Sequence, residues 1–285
     1  MRGKYTTVLW ILVPLMLIFG YFGEVWLHGH LVSEHLFTEM FATILTVVGI
    51  DYLFERSKRR DELPRRTAAY IDVVAMVNGI VNHWHEAFRT SVPEKDPATA
   101  EELFTQGQLD KVWIWLNIEA PLPRSNPPHT WIDRFANLGE YLKREGHNVM
   151  ARNQSLDSEV YRFIHRITTQ GVHTTFLSQL RLIVPAMVNF RQRPADRPTL
   201  FGTMGIYDFP PEELEAIRRL IQWCESERNS LAEAGAIAHN STDRIHYSQS
   251  NDHTQPPLAI ARTTAEACFV EMKARRDQDL QRTAN

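Results

Sequence analysis

The strongest hydrophobic pattern in the chain is a pair of apolar runs near its beginning, Thr6 to Leu27 and Leu36 to Phe54. An α-helix rises about 1.5 Å per residue, so about 20 apolar residues cross the hydrocarbon core of a bilayer. The first run has this length, whereas the uncharged part of the second run is shorter because Glu39 and Asp51 bound it. We predict that residues 1–60 form a two-helix transmembrane hairpin.

Glu39 and Asp51 are the candidates for a functional role inside the membrane. A charge at the bilayer centre costs at least about 2.5–3.5 kcal/mol, which favours positions near the headgroups at the two ends of the span. In the alternative interpretation, both acids line an interface between hairpins of an oligomer. Glycines 20, 23 and 49 would allow close helix packing, so we expect a homo-oligomer.

Basic residues predict the orientation of the hairpin. Arg56, Lys58, Arg59 and Arg60 follow the second run, while the loop between the runs contains no lysine or arginine. Positive charge remains on the cytoplasmic side, so both termini are expected in the cytoplasm and the hairpin in the plasma (inner) membrane. The same cluster is expected to contact anionic lipid. Two alternatives are a single span with an interfacial second helix, and a cleaved signal peptide.

Beyond the basic cluster, apolar residues recur at the three- and four-residue spacing of amphipathic helices, and no alternating strand pattern is present. The first such helix places Pro64 in its first turn and an apolar face on one side. That face comprises Tyr70, Val73, Val74, Val77, Ile80, Val81, Trp84 and Phe88. The fold class predicted is all-α: a cytosolic helical domain at 61–238, then a polar linker and C-terminal helix at 239–285.

Local signals predict individual helix ends. Thr99 is a candidate N-cap with acids behind it, Gly146 is expected to end the helix before it, and Ser155 to cap the next one. Pro211 and the two acids after it begin a helix that is expected to reach Ala238.

Composition excludes several classes of protein. The net charge of −3 does not suggest a strongly basic nucleic-acid-binding protein. Cys224 and Cys268 are the only cysteines, so there is no disulfide framework and no Cys-x-x-Cys metal site. No phosphate-binding glycine loop, nucleophile elbow or dinucleotide fingerprint is present, so the sequence predicts neither an enzyme nor a cofactor.

The histidines are weak metal candidates. His28, His30 and His35 lie in the predicted outer loop, where their loose spacing favours a polar loop over a zinc or copper site. His83 and His85 are two residues apart on a predicted helix, whereas helical zinc pairs are four apart. We predict that these two form a polar rim and that the chain has no metal site.

Arg166 and His173 are separated by six residues in a predicted helical region. This pair resembles the R-x4–6-H motif of HEPN ribonucleases, although Ile167 stands where that motif usually has a polar residue. The resemblance implies a dimeric helical nuclease in which His173 transfers a proton and Arg166 holds a phosphate.

The function predicted from these patterns is a membrane-anchored, non-enzymatic interaction or signalling protein. Its partners would be the lipid bilayer, further copies of the chain and a protein that binds the cytosolic domain. A specific version is a bacterial effector whose assembled hairpins disturb the membrane. The alternative is a membrane-tethered HEPN-like ribonuclease that uses Arg166 and His173.

Overall fold

The computed structural model of the chain describes residues 31–122, 129–152, 156–189, 199–204, 209–249 and 259–284. Over these residues the chain is helical, and no strand is present beyond two isolated bridges, Leu116 with Ala259 and Pro121 with Thr130. The chain divides into two compact units, Met1–Glu62 and Leu63–Asn285. The prediction of an all-α helical bundle is confirmed.

Helix α1 spans Leu31–Ser91 and contains the second predicted apolar run, Leu36 to Phe54. The first run, Thr6 to Leu27, lies outside the described residues. Within the described ranges, no helix has both the length and the apolar character that a membrane crossing requires.

The part of α1 that belongs to the second unit has the predicted buried face. All eight apolar positions from Tyr70 to Phe88 are buried, which confirms the helical period read from the sequence. The prediction for Pro64 is wrong, because this residue lies inside α1 and not in a first turn. Pro64 is exposed, so water can bond to the helix carbonyl that has lost its N–H partner.

Two short helices follow α1. Helix α2 spans Ala100–Leu103, and the Thr99 hydroxyl accepts a hydrogen bond from the Glu102 backbone N–H at 3.2 Å, as predicted for an N-cap. Helix α3 spans Gln106–Trp115. It supplies Trp113, whose ring stacks on Trp84 of α1 with centroids 5.7 Å apart.

Helix α4 spans Trp131–Arg152, so the prediction that Gly146 ends this helix is wrong. A Cβ at Gly146 would overlap the side chain of Thr168, which packs directly on the helix backbone. The glycine therefore permits a close approach between two segments, and the helix continues through it.

The next segment consists of short helical pieces. Helix α5 begins at Ser158. Its N-cap is Asp157 and not the predicted Ser155, because the Asp157 carboxylate accepts a hydrogen bond from the Glu159 N–H at 2.8 Å. The pieces in order are α5 Ser158–His165, a π-helical turn Arg166–Gln170, α6 Val172–Thr175, a 3-10 turn Leu177–Gln179 and α7 Leu180–Asn189.

Helices α8, Leu200–Met204, and α9, Pro211–Glu233, follow. The predicted start of α9 at Pro211 is confirmed, but the helix ends at Glu233 and not at Ala238. Gly235 has a φ of 72°, and the N–H of Ala236 bonds to the carbonyl of Leu231. This hydrogen-bonded turn is a Schellman cap, which requires a residue with positive φ and so favours glycine.

The final helix, α10, spans Arg262–Ala284. It packs on the second unit through buried Cys268 and Met272, and Arg276 donates two hydrogen bonds to the Asp110 carboxylate of α3, at 3.0 and 3.1 Å. Residues 239–249 before it belong to the predicted polar linker and contact the rest of the second unit, since Tyr247 and Gln249 both donate to the carbonyl of Pro97.

Candidate functional site

A buried polar cluster joins three helices at the centre of the second unit. Trp84 of α1 donates from Nε1 to Nε2 of His173 on α6, at 2.6 Å. Nδ1 of His173 lies 2.7 Å from Oε1 of Glu213 on α9. All three side chains are almost completely buried. We call Trp84, His173 and Glu213 the core triad.

The hydrogen bonds of the core triad define the tautomer of His173. A tryptophan Nε1–H can only donate, so Nε2 of His173 accepts and carries no proton. The imidazole proton is therefore on Nδ1, which donates to the Glu213 carboxylate. A doubly protonated His173 would direct a second N–H against the Trp84 donor, so this geometry selects the neutral ring.

The backbone around His173 is shaped to receive the Glu213 carboxylate. The Val172 N–H donates to Oε2 of Glu213 at 2.7 Å. A Cβ on Gly171 would overlap the carboxylate, so this position requires a residue without one. Glu213 also lies in the first turn of α9, where the helix dipole favours a negative charge.

The core triad links helices α1, α6 and α9 through hydrogen bonds, and its side chains are not accessible to solvent. Aromatic rings surround it, since Phe135 and Phe209 pack on Trp84 with centroid distances of 5.2 and 5.6 Å. A general base must lie within hydrogen-bond reach of the proton it takes from a substrate. Both ring nitrogens of His173 are already bonded inside the protein, so this arrangement supports a structural role.

His83, next to Trp84, is buried among the rings of Trp131 and Phe135 at centroid distances of 5.4 and 4.7 Å. The prediction of a polar rim is therefore wrong for this residue. Burial, followed by the charge of Arg134 and by His173, lowers its pKa well below the usual value. Its Nε2 has no hydrogen-bond partner among the described residues, so the neutral ring is strongly favoured.

His85 is also buried, which contradicts the predicted polar rim. Its Nε2 lies 3.3 Å from Oδ2 of Asp96, and its ring packs on Tyr247 with centroids 4.5 Å apart. Burial lowers the pKa of His85, while the bond to Asp96 opposes that shift. His83 and His85 contact different residues, as the two-residue spacing on a helix predicts.

Arg166 lies in a surface cleft of about 550 Å³ between α5, the π-helical turn and the beginning of α9. Its guanidinium donates to Oε1 of Gln170 at 2.9 Å and to Oε2 of Glu212 at 3.4 Å. The cleft also contains Arg162 and Glu215, so it carries charges of both signs. This mixture does not favour the phosphate backbone of a nucleic acid, which binds to surfaces of net positive charge.

The two residues of the HEPN resemblance thus lie in different environments. Arg166 is partly exposed and lines the cleft, whereas His173 is buried in the core triad and is not among the residues that line it. A nuclease needs both groups at one phosphate, which this arrangement does not provide.

The membrane candidates lie on α1. Glu39 and Asp51 belong to this helix, and their side chains are outside the described part of the chain, as are those of Arg56, Arg59 and Arg60. Lys58 is exposed, with Nζ 3.9 Å from Oε1 of Glu62. The side chains of Ile50, Tyr52, Leu53 and Phe54 are also exposed.

Among the described residues, no group of three or more His, Cys, Asp or Glu side chains could hold a metal ion. His28 and His30 lie outside the described residues, and so does the side chain of His35. Cys224 and Cys268 are both buried, and no disulfide joins them.

The sequence patterns did not identify Trp84 and Glu213 as members of one cluster. Glu213 is 40 residues from His173 in the chain. Its place in a first helical turn is already explained by the favourable interaction of an acid with the helix dipole, so the sequence does not indicate a buried partner. The available signal was Gly171 beside His173, since a glycine within a helical region can mark a close approach.

No protein-family model, curated protein or solved structure matches the chain.

Proposed function

We propose that the chain is a membrane-anchored interaction protein without enzymatic activity, whose second unit binds a protein partner. The hairpin of Thr6 to Leu27 and Leu36 to Phe54 would be its anchor, with both termini in the cytoplasm.

The observation that supports this proposal most directly is the exposed apolar stretch of α1. Four large apolar side chains are exposed within five residues, among them Tyr52 at 64% and Phe54 at 74%. Apolar patches that remain exposed mark binding to a membrane or to another protein. Basic residues follow at once, as in the cytoplasmic flank of a membrane helix.

The interior of the second unit supports the non-enzymatic part of the proposal. His173 and Glu213 form a buried pair with the residue types of an acid–base catalyst, and their other hydrogen bonds are directed to Trp84 and Val172. The cleft around Arg166 carries charges of both signs, which suits a polar protein surface more than a small anion.

Cysteine accessibility tests the anchor. The native cysteines are buried, so a Ser33→Cys substitution in the predicted outer loop and a Thr263→Cys substitution in α10 provide matched reporters. In intact cells a membrane-impermeant maleimide should label the Ser33→Cys variant alone. After permeabilisation it should label both. Equal labelling in intact cells, or recovery of the chain in the soluble fraction after lysis, would overturn the proposed anchor.

The oligomeric version of the proposal concerns Glu39 and Asp51. If these acids line an interface between hairpins, Asp51→Asn should change the size of the detergent-solubilised particle, whereas Asp61→Asn outside the predicted span should not. A monomer with the native sequence would exclude an assembled hairpin.

The alternative, a HEPN-like ribonuclease, has less support because His173 is buried. Arg166→Ala tests it without disturbing the core, and Arg162→Ala in the same cleft is the matched control. The interaction proposal predicts that native and variant chains all leave RNA intact. Cleavage by the native chain that is lost only in Arg166→Ala would establish the nuclease.

A further inference from the structure

The segment after α9 turns and bends over residues 239–244 and then lies along α1 as an extended chain. We call residues 239–249 the strap. It leaves α9 through the Schellman cap at Gly235, and Arg228 donates from Nη2 to the carbonyl of His239 at 2.6 Å, which fixes its beginning. Half-buried and exposed side chains alternate from residue 241 to 248, and after the bend at residue 244 this alternation is the two-residue period of an extended chain.

Asn78 of α1 holds the strap through two backbone groups. Its Nδ2 donates to the carbonyl of Arg244 at 2.8 Å, and its Oδ1 accepts from the N–H of His246 at 2.8 Å. In an extended chain, the carbonyl of one residue and the N–H of the second residue after it lie on the same edge, where a neighbouring strand would bind. The Asn78 amide therefore replaces a β-strand partner.

Tyr70 binds the backbone of the strap, and His85 and Pro97 contact its aromatic residue Tyr247. The Tyr70 hydroxyl donates to the carbonyl of Asp243 at 2.5 Å. Burial raises the pKa of Tyr70 to about 12, so its hydroxyl keeps the proton that it donates. Beyond Asn78, the ring of Tyr247 packs on His85, and its hydroxyl donates to the carbonyl of Pro97 at 2.8 Å.

The inward-facing side chains of the strap are only partly buried. Ile245 and Tyr247 pack against the core without being enclosed, and none of the strap residues that the structure describes is fully buried. Backbone hydrogen bonds of this kind do not depend on sequence, so another extended peptide can make them equally well. Exchange of the strap for another peptide costs the difference between their side-chain contacts and the entropy of binding a separate molecule, because the strap is already tethered.

We propose that the face of α1 at Tyr70, Asn78 and His85 is a binding site for an extended peptide of a partner protein, which the strap occupies until the partner displaces it. The matching peptide carries an aliphatic residue and, two positions later, an aromatic residue with a hydroxyl, as Ile245 and Tyr247 do. This inference rests on the interaction part of the proposed function and is independent of the membrane anchor.

The test is fluorescence anisotropy of a labelled peptide with the sequence of residues 240–249, titrated with the full chain in detergent. In an Ile245→Ser/Tyr247→Ser variant the strap is weakened and its site becomes free. We expect this variant to bind the peptide at least about tenfold more tightly than the native chain, since a competing set of contacts has been removed. A peptide with the same composition in scrambled order should not bind.

Asn78→Ala, added to the weakened strap, removes both backbone contacts and should reduce peptide affinity by about tenfold or more. Asn82→Ala is the matched control, because Asn82 lies one turn further along α1 and is exposed. Tyr247→Phe is a milder strap variant that keeps the ring and loses the bond to Pro97, so it should bind the peptide with intermediate affinity. It also covers the case in which the double variant unfolds.

Equal, weak binding by the native chain, the double variant and Tyr247→Phe would overturn the inference, and so would tight binding that Asn78→Ala does not reduce. The strap variants leave residues 1–60 intact. Retained maleimide labelling of the Ser33→Cys reporter together with absent peptide binding would therefore contradict this inference alone.

Discussion

Two stretches of helix α1 contain similar apolar residues and place them in opposite environments. From Tyr70 to Phe88 eight apolar residues follow a three- and four-residue spacing, and all eight members of this face are buried. From Ile50 to Phe54 they are almost consecutive, and Ile50, Tyr52, Leu53 and Phe54 are exposed. One spacing produces a face that other helices can cover, whereas the other produces apolar surface all around the helix, which only a lipid or a partner can cover.

Removal of one large apolar side chain from each stretch should give the largest contrast. Trp84→Ala should lower the free energy of unfolding of the second unit by about 3–5 kcal/mol, because it opens a cavity among aromatic rings and leaves Nε2 of His173 without its donor. Phe54→Ala should change this free energy by less than about 0.5 kcal/mol. Urea unfolding in detergent measures both. Similar losses would mean that the two stretches do not differ as described.

Within the buried stretch, the next largest effect concerns the carboxylate of the core triad. Glu213→Gln should cost about 2–3 kcal/mol, because the new NH₂ group must face either the Nδ1–H of His173 or the N–H of Val172. The adjacent Glu212 is 67% exposed, so Glu212→Gln should cost less than about 1 kcal/mol. Thermal unfolding of the two variants makes the comparison. Equal decreases in melting temperature for the two variants would contradict a structural role for Glu213.

A fall in pH is expected to lower the free energy of unfolding by a smaller amount. Burial holds the pKa of His83 below 6.5, so the unfolded chain takes up a proton before the folded chain does. Stability from this group is therefore present above pH 6.5 and lost as the pH falls. The loss approaches about 1.4 kcal/mol per pH unit, and the lowered pKa of His85 acts in the same direction.

Substitution of His83 tests the origin of that acid effect. His83→Phe should flatten the dependence of unfolding free energy on pH between 6.5 and 5, since a phenyl ring suits the aromatic surroundings and does not titrate. His147 is exposed, so His147→Gln should leave the slope as it is in the native chain. An unchanged slope in His83→Phe would assign the acid sensitivity to other groups.

Much of the fold follows from local sequence rules. The period of α1 from Tyr70 to Phe88, the Thr99 cap and the start of α9 at Pro211 each depend on residues within one or two turns, so the sequence predicts them. The sequence alone does not predict the role of Gly146, because that role depends on Thr168, which belongs to a distant segment.

The site was less predictable for the same reason. The tautomer of His173 depends on Trp84, which is 89 residues away in the chain, and the burial of His83 depends on Trp131 and Phe135 of another helix. Polar residues such as those at 239–249 are typical of a linker, and contacts with distant residues such as Asn78 and Pro97 show that the segment is bound. Periodicity reports which face of a helix is buried, but it does not report which residues meet there.

The most direct test of the proposed anchor is the environment of the exposed stretch of α1. Nitroxide labels on Ile50→Cys and, as the control, on Leu182→Cys compare two exposed apolar positions, and the native cysteines are buried. In lipid nanodiscs, the account predicts that dissolved oxygen relaxes the label at position 50 and that a water-soluble nickel chelate relaxes the label at position 182. Preferential relaxation of both labels by the nickel chelate would contradict the membrane anchor.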